Sequence, residues 1–406
     1  MSSMTEDELR SRTRKLLEVC NPDDPAVDRD TFRGTQFDHG LAWVHFPEGL
    51  GGFGLSPGMQ RVVDEEIRAG AKRLYHNMRV NPIGIGMGAP TVLAYGTDEM
   101  KQRFLRPLFT GEEVWSQLFS EPGAGSDVAS LSTRALRDGD DWVVNGQKVW
   151  TTLAHVARWG MIVVRTDPDA KKHDGLTYFV LDMHAPGVEV RPLYQITAEA
   201  EFNEVFLTDV RIPQSMMLGV EGQGWRVAIT TLMNERVAIG GASGLGRRIA
   251  ADDLIDVWRE RSRPDEWHDA VMRDRVTQLW IESKLLSITN QRGNEARRSG
   301  TPGPEGSVAK LVLAELNKKI YETCMDVLGE DALLYEPGFE LRRPGEGPEL
   351  DSTMRIKETF LRSRANSIEG GTSEVMRNIL GERVLGLPGE PRVDKDVPWS
   401  DVPRSG

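Results

Sequence analysis

The densest group of chemically capable residues is Gln117-Leu118-Phe119-Ser120-Glu121-Pro122-Gly123-Ala124-Gly125-Ser126-Asp127. Glycines interleaved with serine leave backbone N–H groups open, which suits a pyrophosphate or the carbonyl oxygens of a flavin. A plain turn is the other reading. No Gly-Lys-Ser/Thr follows, so this is not a triphosphate-binding loop. A second group is Gly146-Gln147-Lys148-Val149-Trp150-Thr151-Thr152. On a strand, the Trp150 indole and the Thr152 hydroxyl would share a face and could flank a flat heteroaromatic ring. An ordinary core tryptophan is the alternative. A third, Asn234-Glu235-Arg236, is expected to begin a helix lined by Ala238, Gly240, Gly241, Ala242, Gly244 and Gly246. A carboxylate desolvated among small residues can act as a base, whereas a surface Glu-Arg pair would be inert. A fourth, Asn366-Ser367-Ile368-Glu369-Gly370-Gly371-Thr372-Ser373-Glu374, reads as a glycine turn entering a helix. Its N–H groups suit phosphate or ring carbonyls, and an N-cap by Thr372 or Ser373 explains it equally well.

Other chemistries are excluded. The seven histidines are scattered without metal-ligand spacing, and there is no Cys-x-x-Cys pair and no Gly-x-Ser-x-Gly elbow. Gly84-Ile85-Gly86-Met87-Gly88 follows Asn81-Pro82 rather than a strand, so it is not a dinucleotide fingerprint. It fits close helix packing or room for a bulky ligand. With 62 acidic against 50 basic residues the net charge is −12, which argues against an electrostatic nucleic-acid binder. Cys20 and Cys324 are expected to be reduced thiols. The polar, acidic N-terminus predicts no signal peptide, and no apolar run approaches the ~18 residues of a membrane span. A cytoplasmic location is expected.

The 406 residues suit two to three domains at about 150 each. Residues 1–112 read as helical, opening with Thr5 and Glu8 as a capping box. Residues 113–221 switch to short Val/Ile/Thr/aromatic runs separated by Gly, Asp and Pro, the pattern of a small antiparallel sheet domain. Residues 222–390 return to helical spacing, with Leu313, Leu316, Ile320, Cys324 and Val327 on one face and Val276, Leu279, Trp280 and Leu286 on another. Residues 293–306 and 336–350 read as loops, and 391–406 as an extended arm or a mobile tail. The fold class is thus α+β multidomain: N-terminal helices, a middle β domain and a C-terminal helical bundle.

The order and spacing of these motifs resemble the acyl-CoA dehydrogenase family over about residues 5–390. The resemblance rests on Ser120–Asp127, Lys148–Thr152, Asn203-Glu204-Val205-Phe206-Leu207 and Gly371-Thr372-Ser373-Glu374. It implies a C-terminal four-helix bundle and FAD held between the β domain and that bundle. Gln117, Phe119, Ser120 and Gly125 would line the flavin, with Ser126 near its phosphates and the thioester ligand. Trp150 would flank the ring, Thr152 would sit near N5, and Thr372 and Glu374 would approach from the C-terminal side. Arg236 would adjoin the substrate. The implied reaction converts an acyl-CoA to a trans-2-enoyl-CoA, and electron-transfer flavoprotein takes the electrons.

Most of the family carries a glutamate immediately before Gly-Thr as the catalytic base; here that position is Gly370. A minority carries it on the first bundle helix just before Arg, which Glu235-Arg236 matches. Glu235 is therefore the expected base, with Glu369 its rival. The family's Arg-x-x-Phe-Gly is absent from 259–267, and its Gly-Gly-Asn-Gly is reduced to Gly329-Glu330-Asp331-Ala332. In the family these elements reach the flavin of a neighbouring subunit, so their loss points to a heteromeric partner; a homo- or hetero-oligomer, dimer or tetramer, is expected. One alternative is a subunit that mainly completes a partner's flavin site. Another is a flavin monooxygenase on the same scaffold, which the presence of Glu235 disfavours.

Overall fold

A computed structural model describes residues 4–75, 80–239, 250–261, 267–298, 303–335, 338–344, 346, 350–391, 394 and 396–403. The chain divides into two compact units: residues 1–191, 202–234 and 393–406, and residues 192–201 with 235–392.

The first unit opens with helices α1 (Glu6–Val19), α2 (Arg29–Asp38), α3 (Gln60–Gly70), α4 (Ala89–Tyr95) and α5 (Asp98–Thr110). The capping box forms as expected, with Glu8 N donating to Thr5 Oγ1 at 3.2 Å and Thr5 N to Glu8 Oε2 at 2.7 Å. Thr97 caps α5 without the return bond, its hydroxyl accepting from Met100 N at 3.3 Å. Leu9, Leu16, Phe32, Val62 and Val63 close one core among the first helices.

Strands β1 (Trp115–Leu118), β2 (Arg134–Asp138), β3 (Asp141–Lys148), β4 (Trp159–Arg165), β5 (Leu176–Asp182), β6 (Val188–Pro192) and β7 (Asn203–Pro213) form one sheet. The order is β1-β4-β2-β3-β7-β6, with β5 also on β4. Most registers that are defined are antiparallel, but β1 and β2 pair with β4 in parallel. Every residue of β4 is buried because the strand has a core on each face. Met161 and Val163 join the helices' Phe104, Leu105 and Leu108, while Ile162 and Val164 face Trp142, Val144 and Phe179.

The glycine run 84–88 forms one π-helical turn. Buried Asn81 gathers the backbone around it, accepting from Gly84 N and Trp115 N and donating to the carbonyls of Leu108 and Glu113. A Cβ on Gly84 would lie 2.4 Å from Asn81 Nδ2, and one on Gly88 would lie 3.3 Å from Leu108. At these two positions the glycines serve packing rather than ligand space.

Helix α6 (Gly224–Ile239) follows the sheet, and α7 (Ala250–Arg261), α8 (Trp267–Arg298), α9 (Glu305–Leu328), α10 (Ser352–Ser363) and α11 (Ser373–Ile379) build the second unit. Leu316, Ile320 and Cys324 of α9 are buried with Val276, Leu279 and Leu286 of α8, as their spacing predicts. Trp280 departs from that face and is 39% exposed. The loop expected over 293–306 is shorter, because α8 continues to Arg298 and α9 starts at Glu305. Glu295, Ala296, Arg297 and Arg298 are good helix formers and outweigh Gly293.

Asn234-Glu235-Arg236 does not begin a helix. Gly224 starts α6, where a Cβ would meet the Thr177 backbone at 2.6 Å, so Glu235 falls near the other end. The small residues 240–249 and the side chain of Arg236 lie outside the described residues. The C-terminal tail docks on the first unit. Trp399 N donates to Ala170 O at 2.9 Å and Ser400 N to Pro168 O at 3.0 Å.

Among the described residues no helix is long and apolar enough to cross a membrane, and no acidic, His or Cys cluster could hold a metal.

Candidate functional site

The glycine loop grows out of β1. Gln117 lies on that strand opposite Met161, and Phe119 is buried edge-on against Tyr178, with ring centroids 5.7 Å apart. At Glu121 the chain turns, bridging to Ala124 through two backbone bonds of 3.0 Å. The Glu121 carboxylate accepts from Ser132 N (2.7 Å), Thr133 N (2.9 Å) and Lys148 Nζ (2.9 Å). Lys148 is fully buried and also donates to the carbonyls of Phe119 and Val163. Burial by itself would raise the Glu121 pKa. The Lys148 charge and the bonds from Thr133, Lys148 and Ser132 reverse this and hold it at about 2. Beyond this anchor Gly125 and Ser126 are exposed, and a Cβ at Gly123 or Gly125 would meet nothing within 4 Å among the described residues. The loop therefore has a rigid base and an open crown.

Only the first three residues of the second group, Gly146–Lys148, are on a strand. β3 ends at Lys148, and Trp150 and Thr152 lie in the irregular segment after it. The period-two argument for a shared face therefore fails. Backbone bonds cause the break: Val149 N donates to Ser120 O (2.9 Å), Thr151 N to Asn203 O (3.0 Å) and Asn203 N to Thr151 O (3.1 Å). Asn203 Nδ2 adds 3.0 Å to Thr151 O, and Ser116 Oγ donates to Thr152 O at 2.7 Å. These ties hold Trp150 at φ +60°, a left-handed conformation that is strained for a bulky residue. Its indole is 58% exposed and packs edge-on against Phe202 at 5.8 Å. A large aromatic held out of the core at the cost of backbone strain is suited to covering a ligand.

These residues fit a flavin. The exposed indole offers a stacking face, and the crown of the glycine loop leaves space at the backbone for an anion. Beside Trp150, Thr151 is fully buried and its Oγ1 has no hydrogen-bond partner among the described residues.

The second unit carries both candidate bases, Glu369 and Glu235. Glu369 is engaged: Arg362 Nη2 donates to its Oε2 at 2.8 Å, Arg362 Nη1 to its Oε1 at 3.2 Å and Asn366 Nδ2 to Oε1 at 2.8 Å. Arg362 also reaches Glu201 at 3.0 Å. Burial opposes the charge on Arg362, but the Glu369 bonds and the two carboxylates raise its pKa. Glu235 is half-buried near the end of α6. Both carboxylates lie within the electrostatic reach of Lys310, whose ammonium burial pulls downward. Lys310 Nζ donates to Asn366 O (2.9 Å) and Gly371 O (2.6 Å), tethering the glycine turn. Thr372 is the N-cap of α11, its hydroxyl accepting from Val375 N at 3.1 Å. Glu374 is exposed and pairs with Arg377 at 3.2 Å. Asp331, in the shortened Gly329–Leu333 turn, pairs with Arg261 at 2.6 Å.

Sequence reasoning missed the Glu121–Lys148 pair as an anchor, although both residues lie in the quoted motifs. It also missed the hydroxyl cluster in which Thr231 meets Thr91 at 3.0 Å and Tyr178 at 3.1 Å. No local pattern links residues so far apart.

Comparisons with known proteins agree with this architecture. Three family models match in order: the acyl-CoA dehydrogenase N-terminal domain over residues 3–112, the middle domain over 116–210 and the C-terminal domain over 222–385. The acyl-CoA dehydrogenase IpdE1 of Mycobacterium tuberculosis is 38% identical over 356 residues, covering 86% of each chain. FadE34 of the same organism is 38% identical over 353 residues, but these span 86% of this chain and only 45% of FadE34. Among solved structures, the ChsE4-ChsE5 complex from M. tuberculosis matches with a TM-score of 0.67 at 27% identity, over 96% of this chain and 100% of that one. The protein is thus a member of the acyl-CoA dehydrogenase family, oxidoreductases that use FAD as cofactor.

Proposed function

We propose that this protein catalyses the α,β-dehydrogenation of an acyl-CoA thioester to a trans-2-enoyl-CoA, with Glu235 taking the α-proton. Bound FAD supplies the acceptor for the β-hydride. The residues proposed to hold it are Gln117, Phe119, Ser120, Gly125, Ser126, Trp150, Thr152, Thr372 and Glu374. The N–H groups of Gly123, Gly125 and Ser126 would take its phosphates, Trp150 would cover its ring and exclude water, and Ser126 and Arg236 would adjoin the thioester. We divide the chain at about residues 112, 221 and 390, and take electron-transfer flavoprotein as the electron acceptor and the cytoplasm as the location.

The observation that carries the choice of base is the state of its rival. Arg362 and Asn366 both donate to the Glu369 carboxylate and hold it in place, so taking an α-proton there would compete with these bonds. Position 370 is glycine, so no other carboxylate stands at the family's usual place. The test is anaerobic mixing of the purified flavoprotein with acyl-CoA thioesters. Glu235→Gln should retain FAD while slowing flavin bleaching by about 10²–10⁴-fold, the range expected for loss of a general base. Bleaching at the wild-type rate would refute the assignment.

A second reading is a heteromeric enzyme in which this chain helps to complete a partner's flavin site. The chain spans 45% of FadE34, and the ChsE4-ChsE5 structure is a complex of two named chains. Asp331 is engaged by its own chain's Arg261, and α8 exposes Ile281, Leu285 and Ile288 at helical spacing. A stable homotetramer with full FAD occupancy, obtained from this chain alone, would exclude that reading.

A further inference from the structure

The glycine loop is anchored on its N-terminal side by the Glu121–Lys148 pair. Its C-terminal limb, residues 127–131, is held by residues from the far end of the sequence. Lys172 Nζ, almost fully buried, donates to Asp127 Oδ2 at 2.6 Å and to Asp394 Oδ2 at 2.5 Å. The Trp399 ring is 9% exposed and lies 4.5 Å from the Arg165 guanidinium. That guanidinium is buried and donates to Ala129 O at 2.7 Å and to Lys172 O at 2.8 Å. The Trp399 indole N–H itself points to Ser130 O at 3.4 Å. Backbone bonds from Trp399 and Ser400 to Ala170 and Pro168, and a 3.0 Å pair between Lys171 and Asp396, lay the segment along the sheet unit.

We propose that Asp394 and residues 396–403 act as a strap that orders the 121–131 loop for its anionic ligand, with Trp399 as the positioning residue. The inference rests on the assignment of that loop to FAD. Open backbone N–H groups bind an anion well only if they already converge before it arrives, because otherwise binding must also order the loop. Among the described residues nothing lies within 4 Å of a Cβ placed on Gly123 or Gly125, so no packed side chain orders the crown at these positions. Order must therefore enter through its two limbs, and the strap supplies one of them. Trp399 contributes buried aromatic area and a cation–π contact with a guanidinium whose other bonds reach the loop. Asp394 contributes charge to the Asp127–Lys172 pair.

The test uses the full-length chain with Trp399→Ala, Trp399→Phe and Asp394→Asn. It measures hydrogen exchange of amides 123–131 without FAD, FAD affinity and Tm. A Leu9→Ala variant in the α1 core serves as a stability control. Trp399→Ala should accelerate exchange at the hydrogen-bonded amides of Ala124, Ser130 and Leu131 and weaken FAD binding, each by about tenfold, and Trp399→Phe should recover most of both. Asp394→Asn should act in the same sense but less, with an effect that shrinks as salt is raised. Leu9→Ala should lower Tm while leaving loop exchange and FAD affinity unchanged. Unchanged exchange at Ala124, Ser130 and Leu131 in Trp399→Ala, or changes that merely follow Tm across all variants, would overturn the strap. Faster exchange with unaltered FAD affinity would instead overturn the assignment of the loop to FAD.

Discussion

Replacing Lys148 with methionine tests the anchor of the candidate flavin loop. The side chains have similar length, so the change removes charge and hydrogen bonds with little change in volume. Lys148 is fully buried and makes three bonds, to Glu121 Oε1 (2.9 Å), Phe119 O (3.1 Å) and Val163 O (2.9 Å). Removing one partner of a buried ion pair leaves the other charge uncompensated and costs about 3–5 kcal/mol. The depressed Glu121 pKa gives an independent figure. A fall from 4.5 to about 2 corresponds to about 3 kcal/mol. Since the pKa is lowered in the folded state, this stabilisation is fully present above about pH 4.5 and is lost as pH falls towards 2. The assay is hydrogen-exchange protection of the β3 amides, read as an opening free energy, for wild type and Lys148→Met across that interval. Near neutral pH the variant should lose about 3–5 kcal/mol, and the gap should narrow on acidification. The double variant Lys148→Met/Glu121→Gln should regain part of the loss, because no buried charge remains. A single-variant loss under about 1 kcal/mol, or a gap that widens in acid, would refute the reasoning.

Gly224→Ala should destabilise the first unit by about 1–3 kcal/mol, measured by thermal unfolding, because its Cβ would meet the Thr177 backbone at 2.6 Å. An unchanged Tm would show that α6 moves freely. Trp150→Gly should raise FAD-free stability by about 1 kcal/mol through relief of the φ +60° strain. Its FAD affinity, followed by fluorescence titration, should fall. Glu369→Gln should lower stability by about 1 kcal/mol, since its pair with Arg362 is partly exposed. Turnover should stay within a few-fold of wild type, and a loss as deep as that of Glu235→Gln would restore Glu369 as the base.

Several elements were legible in the sequence because their causes are local. Thr5 with Glu8 and Thr97 with its following turn cap helices through bonds three residues apart. The apolar spacing of α9 indicated its buried face, and the change of period after the N-terminal helices marked the sheet. Locality also explains the errors. Trp150 and Thr152 look strand-like in one dimension, yet bonds to Ser120, Ser116 and Asn203 turn the chain out of the ladder. The acidic, proline-rich tail lacks a pattern of its own and takes its place from Lys172 and Arg165.

The sequence by itself determined the family and the order of helical and β segments, and it supplied the short list of residues proposed to serve a flavin and a thioester. These depend on residue type and near-neighbour spacing. Only the tertiary structure decided that Glu369 is gripped by Arg362, that Glu121 is ionised against a buried lysine, and that Trp399 closes over Arg165. Burial and charge pairing arise from groups that meet after the chain has folded, and spacing along a strand or helix carries no record of such meetings.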